Sequence, residues 1–393
     1  MSSKRHFTRF LGSDPERLHV AAHSHHPWPD VTFEAQQRAW LDAAALHDDK
    51  WDVLLGEVLP QARRHVARQL GLSDPATVAF APSTHELVLR LLSCLPVPTR
   101  ILTTDSEFHS FARQARRLEE AGLAVVQRVA AEPFATFAER FVAAAARGGH
   151  DLVLFSQVHF NSGFVVTDLE ALVAAVPADE TFVVIDGYHG FMARPTDLAP
   201  IAGRAFYLAG GYKYAMAGEG ACFLHCPPGY GERPVNTGWF AGFGDLAKPA
   251  QPGRVGYARD GSRFLGATFD ATGLYRFNAV QRLLGELGLS VAAIHAHVRG
   301  LQARFLDRLD ALDLPGLGRA TLVPPPETPE RGHFLTFRLP EARAVSERLR
   351  ARKVITDYRD DRLRVGFGVY HDEADIDELC ARLVVSRTLW STR

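Results

Sequence analysis

Between Val78 and Leu208, short apolar runs alternate with longer amphipathic stretches. No other feature of the chain restricts its fold as much. Val78 to Phe80, Arg100 to Thr103, Ala124 to Val129, Leu152 to Phe155, Thr181 to Ile185 and Ala205 to Leu208 read as strands. Glu86 to Leu95, Phe111 to Ala121, Phe134 to Ala146 and Leu169 to Val176 read as the helices between them. Alternation of this kind implies βαβ units and a mostly parallel sheet covered on both faces. Up to Pro29 the chain is rich in His, Pro and small residues and reads as an extended arm. From Thr32 to Leu70 the pattern turns helical, with Trp51, Leu54, Leu55, Val58 and Leu59 at three- and four-residue spacing. A Gly- and Pro-rich loop covers Pro227 to Gly261, and one long helix is expected from Tyr275 towards Leu312. Past the Pro-rich connection at Pro324 to Pro329, strand, helix, strand and helix follow at His333 to Leu339, Ala344 to Arg352, Leu363 to Phe367 and Ala374 to Leu383. The expected division is an N-terminal arm (1–40) that contributes to the small domain and the active site, a large domain (41–270) and a small C-terminal α/β domain (271–393).

A chain of 393 residues can bury a large core. Its formal net charge of −1 gives no electrostatic case for nucleic acid or for an anionic membrane surface. No run approaches the roughly 18 apolar residues of a membrane span. The basic start is followed by no apolar stretch, so a secretory signal is not expected. Cys94, Cys222, Cys226 and Cys380 form no CxxC pair and read as reduced thiols, and the expected compartment is the cytoplasm. His19, His23, His25 and His26 lack metal-ligand spacing and a nearby carboxylate or cysteine cluster, so no metal is expected.

The strongest chemical signal is Gly210-Gly211-Tyr212-Lys213-Tyr214. The chain has five lysines against 39 arginines, and this one follows an apolar strand between two tyrosines. A desolvated lysine has a lowered pKa and acts as an amine nucleophile. A lysine snorkelling beside aromatic rings would look the same. Asp186 ends another buried-looking strand and leads into Gly187-Tyr188-His189. Parallel α/β sheets bind ligands at the carboxyl ends of their strands, where a carboxylate can pair with a cationic ring nitrogen. An Asp in this position also suits a turn or cap. Ser83, Thr84 and His85 stand between a strand and a helix, where free N–H groups and hydroxyls seat a phosphate or simply cap the helix.

Together these segments resemble the class V branch of the fold-type I, aspartate aminotransferase-like pyridoxal 5'-phosphate (PLP) enzymes, and within it the kynureninase-like proteins. The resemblance covers nearly the whole chain. It implies that Asp186 and His189 hold the pyridine end of the cofactor and that Lys213 forms the Schiff base. It implies a contact from Tyr212 at the phosphate and a stacking role for Phe108 in Glu107-Phe108-His109-Ser110; Thr84 and His85, at the helix start, are the further cofactor-binding candidates. Thr268 would reach the phosphate of a neighbouring subunit, so a homodimer with shared active sites is expected. Arg364, in Leu363-Arg364-Val365-Gly366-Phe367, would grip the substrate carboxylate. His23 and Ser24 fall where the family carries an Asn-Ser-Leu-Gly substrate loop, and Trp239 falls in its Gly-Trp loop. His47 falls near a substrate-contacting histidine of the family, with different spacing.

The sequence departs from the family at the substrate end. His23 replaces an asparagine, Ala241-Gly242 stands where the Gly-Trp loop continues to a histidine, and Phe269 follows Thr268 where many relatives have proline. The resemblance implies an enzyme acting on an amino acid, with kynureninase-type hydrolysis of a Cβ–Cγ bond as the expected reaction. Class V transamination of a small amino acid is the alternative. Cysteine desulfurase or lyase chemistry and a degenerate PLP-binding protein complete the set. Cys380 in a helical stretch, and the other cysteines near apolar segments, do not suit a thiolate on a mobile loop.

Overall fold

The N-terminal arm is tied to the far end of the chain. In the computed structural model, which describes residues 3–177, 180–245, 253–314 and 316–385, a short helix α1 (Thr8–Gly12) precedes strand β1 (Leu18–His19). Strand β1 pairs in parallel with β10 (Val354–Ile355). The arm was expected to be extended; a 3-10 turn (Lys4–His6) and α1 depart from that, the first turn of α1 held by Asp30, which accepts from the Thr8 amide and hydroxyl. The helical stretch that follows is segmented into α2 (Val31–Leu46), α3 (Lys50–Val53), a π-helical turn (Leu54–Val58) and α4 (Leu59–Leu70). His47 ends α2 with φ 50, a left-handed value that breaks the helix there.

The large sheet follows the sequence rhythm closely. Its strands are β2 (Val78–Ala81), β3 (Thr99–Thr104), β4 (Ala124–Val129), β5 (Leu152–Ser156), β6 (Phe182–Asp186), β7 (Ala205–Ala209) and β8 (Cys222–His225). Helices α5 (Thr84–Leu92), α6 (His109–Glu120), α7 (Phe137–Ala146) and α8 (Leu169–Ala174) cross between strands. The spatial order is β2-β8-β7-β6-β5-β3-β4. All neighbours are parallel except β8, which runs antiparallel to both β2 and β7. Most strand residues are buried, as expected for a sheet with helices on both faces. Strand β8 has no counterpart in the expectations, because four residues after a Gly-rich turn carry no usable period.

One helix was expected from Tyr275 to Leu312, and there are two: α9 (Thr272–Glu286) and α10 (Val291–Leu312). Gly288 adopts φ 63 between them, and the Ser290 hydroxyl accepts from the Ala293 amide to start the second. The C-terminal lobe continues with β9 (Phe334–Arg338), α11 (Ala342–Ala351), β10, β11 (Asp357–Arg359), β12 (Arg362–Gly366) and α12 (Glu373–Val385). Strands β11, β12 and β9 form an antiparallel sheet. A separate apolar cluster fills this lobe, running from Val298, Phe305 and Leu309 to Phe337, Leu349 and Leu379, and it takes in Leu18 and Val20 of the arm. No described helix is long and apolar enough to cross a membrane.

Candidate active site

The carboxyl ends of five strands meet at one pocket. Strand β2 delivers Thr84 and His85 at the start of α5, and β3 delivers Phe108 at the start of α6. Strand β5 ends at Ser156, β6 at Asp186, and β7 runs on to Tyr212 and Lys213. Every one of these residues lines the same cavity of about 220 Å³, as does His189. This is where a parallel sheet is expected to hold a ligand. The two glycines before Tyr212 let the chain pass. A Cβ on Gly210 would sit 2.2 Å from the Tyr188 hydroxyl and 2.6 Å from the Cys222 sulfur.

Lys213 is 5% exposed, with Nζ 2.6 Å from Nε2 of His189. The rings of Tyr188, Phe108 and Tyr212 surround the amine at 5.1, 5.3 and 5.7 Å. Burial, reinforced by the Arg364 charge, pulls its pKa down to about 7, so near neutrality a large share of the amine is unprotonated. Burial and the Lys213 charge hold His189 well below the usual histidine range. A neutral His189 accepting at Nε2 carries its proton on Nδ1, and that buried nitrogen has no partner. Asp186 accepts from the Tyr188 amide at 2.9 Å, and burial raises its pKa.

The neighbouring Glu107 is 4% exposed. Burial first, with Asp186 adding to it, pushes its carboxyl up to about 7, against the hydrogen bonds it accepts from Ser156 and Thr104. The folded protein thus keeps a proton that the unfolded chain releases near 4.5. Stability contributed by this group is full below that value and falls as pH rises towards 7. Melting of the cofactor-free protein should therefore drop relative to Glu107→Gln across this window. A constant difference between the two proteins would contradict it.

Arg364 and His23 lie beside the pocket without lining it. Strand β12 places Arg364 directly opposite Asp357 of β11. Its guanidinium donates to the Asp357 carboxylate and the Phe160 carbonyl, while Nε is buried without a partner. His23 is fully buried, stacks on Phe334 at 4.5 Å, and has Nε2 3.7 Å from Asp357. The arm is held there by Ala22 and Val20 bonding along β12. Gly366 has no side chain to obstruct His23; a Cβ would meet its Nδ1 at 2.2 Å. Burial holds His23 near pKa 3, hence neutral.

Not every residue named from sequence comes together. Trp239 is 39% exposed and donates from Nε1 to Thr268 at 3.0 Å, and neither residue lines the pocket of its own chain. Ser24 and His47 do not line it either. Conversely, Ser156, Phe160, Glu219 and Cys222 line it without having been singled out for it. Asp357 was also missed. A carboxylate seven residues before Arg364, across the Asp360-Asp361 turn, is the spacing of a hairpin pair. Burial raises the Cys222 thiol to about 11 and Cys226 to about 12, which keeps both protonated and unreactive.

The pocket fits PLP on its own features: a helix start with hydroxyls at one end, Asp186 on a strand end, an amine among aromatic rings, and an unpartnered His189 nitrogen. Comparison with known proteins agrees. Residues 294–383 match the model of the kynureninase C-terminal domain. Isopenicillin N epimerase from Streptomyces clavuligerus is 32% identical over 241 residues, 58% of each chain. Kynureninase from Pseudomonas fluorescens is 29% identical over 227 residues, 55% of this chain and 51% of that one. The chain thus spans little more than half the length of these relatives. Among solved structures, a mutant of the cystine C-S lyase C-DES with glycine covalently linked to its PLP cofactor superposes with a TM-score of 0.80. It is 17% identical and covers 98% of this chain and 99% of that one, which speaks for the fold. The chain therefore has the fold-type I architecture of these PLP enzymes, and over parts of its length it is similar in sequence to kynureninase and isopenicillin N epimerase.

Proposed function

We propose that the protein binds PLP on Lys213 and hydrolyses the Cβ–Cγ bond of an aryl-keto amino acid, releasing alanine and an aromatic acid. The observation that carries this reading is the pocket lined by Lys213, His189 and Asp186 with Arg364 beside it, bonded to the carbonyl of the pocket residue Phe160 and within the segment that matches the kynureninase C-terminal domain. When bound, PLP withdraws electrons from the substrate's α-carbon. Asp186 presents a carboxylate to a protonated ring nitrogen, while Thr84, His85 and Tyr212 hold the phosphate. Phe108 forms the wall against the ring. Lys213, its pKa near 7, takes the proton from the α-carbon and returns it, and neutral His189 orients the amine. Arg364 offers its unpartnered Nε to the substrate carboxylate, with His23 against the same Asp357 and Ser24 next to His23 in the arm as the further substrate candidates. Trp239 and Thr268 serve the pocket of a second copy in a cytoplasmic homodimer, consistent with their position outside their own.

The reaction is tested by a product screen with kynurenine and with small amino acids, with and without a keto acid acceptor. Alanine and an aromatic acid formed without acceptor support hydrolysis. Turnover that requires the acceptor sinks it in favour of transamination. Trp239→Ala should cut turnover of the aryl substrate by about tenfold or more while leaving small substrates within about twofold. Equal losses on both classes would make Trp239 structural.

A further inference from the structure

Glu107 is a buried acid beside the pocket that the mechanism above does not use. Its Oε1 accepts from the Thr104 hydroxyl at 2.6 Å and from the Ser156 amide at 3.2 Å, and its Oε2 accepts from the Ser156 hydroxyl at 2.5 Å. The Thr104 hydroxyl in turn accepts from the Ser106 amide, so the turn between β3 and α6 closes on itself and is fastened to the last residue of β5. The next residue along is Phe108, whose ring lines the pocket 5.3 Å from the Lys213 amine. Ser156 also lines the pocket, and in the parallel register it stands beside Asp186. One carboxyl group therefore joins the turn that carries the aromatic wall to the strand end next to the Asp186 carboxylate. Burying an acid is costly and is a poor way to gain stability. Joining two walls of the pocket gives it a purpose.

We infer that Glu107 is a positioning residue for the cofactor ring, acting through Ser156 and the turn that carries Phe108. This rests on reading the pocket as the PLP site and adds a residue to it. Removing the carboxyl group leaves two buried hydroxyls and an amide without their acceptor and frees the turn. Glutamine keeps the length and an acceptor oxygen, and its amide can donate to a hydroxyl.

The test titrates cofactor-free wild type, Glu107→Ala, Glu107→Gln and Ser156→Ala with PLP. It reads the dissociation constant, the visible circular dichroism of the bound cofactor, and the far-ultraviolet spectrum for folding. Glu107→Ala should bind PLP at least about tenfold more weakly, with a reduced visible band. Glu107→Gln should stay within about threefold of wild type and keep the band, a rescue that general destabilisation would not give. Unchanged affinity and an unchanged band in Glu107→Ala overturn the inference while leaving the cofactor reading intact. A wild type that binds no PLP overturns both. If Glu107→Ala does not fold, Ser156→Ala decides: a weakened band supports the role, and an unaltered band with unaltered affinity overturns it.

Discussion

Lys213→Ala should lower turnover by about three orders of magnitude while leaving the fold intact. A positioned proton-transfer group contributes about 10²–10⁴-fold, and Lys213 is proposed both to carry the cofactor and to move the α-proton. Its amine is held by His189 at 2.6 Å and ringed by Tyr188, Phe108 and Tyr212, so no other lysine of the described chain shares its setting. Lys4 and Lys353 are surface groups paired with acids, and Lys50 sits over the Trp51 ring. Lys248 lies outside the described residues. Alanine at 213 removes one buried amine and leaves the Gly210-Gly211 passage unaltered, so the far-ultraviolet spectrum should match wild type. A variant retaining more than about a tenth of turnover would contradict both roles at once.

Asp186→Ala should cost at least about a hundredfold in turnover, the size associated with losing one preorganised electrostatic contact at a reacting centre. The carboxylate sits at the end of β6, oriented by the Tyr188 amide. Without it, nothing proposed for the site favours a protonated ring nitrogen. Asp186→Asn separates charge from shape, because the amide can still accept from Tyr188 but cannot supply a counter-charge. It should behave like the alanine variant. Near-normal turnover in either would remove Asp186 from the mechanism.

The sheet was legible because most of its strands are buried on both faces and so read as apolar runs, and because the first four are each followed by a helix pattern. The site residues on those strand ends were legible for the same reason: Asp186 and Lys213 each follow a run. The break between α9 and α10 was not. Leu283, Leu284, Leu287 and Ile294 continue a helical spacing across it, and the φ of Gly288 leaves no trace in that pattern. Strand β8 was hidden by its brevity. Glu107 and Asp357 were missed for a different reason. Each acts through a partner that only the fold brings close: Ser156, 49 residues on at the end of β5, for Glu107, and Arg364, opposite in the β11–β12 hairpin, for Asp357. The substrate end was read from resemblance alone, and there the described chain leaves Trp239 and Thr268 outside its own pocket.

The central claim is that Lys213 carries PLP. Borohydride reduction of the PLP-loaded protein fixes the cofactor to whichever amine holds it, and peptide mass mapping locates it. The expected result is a single adduct on the peptide containing Lys213. An adduct on Lys50, Lys248 or Lys353 instead, or none at all, would contradict the claim.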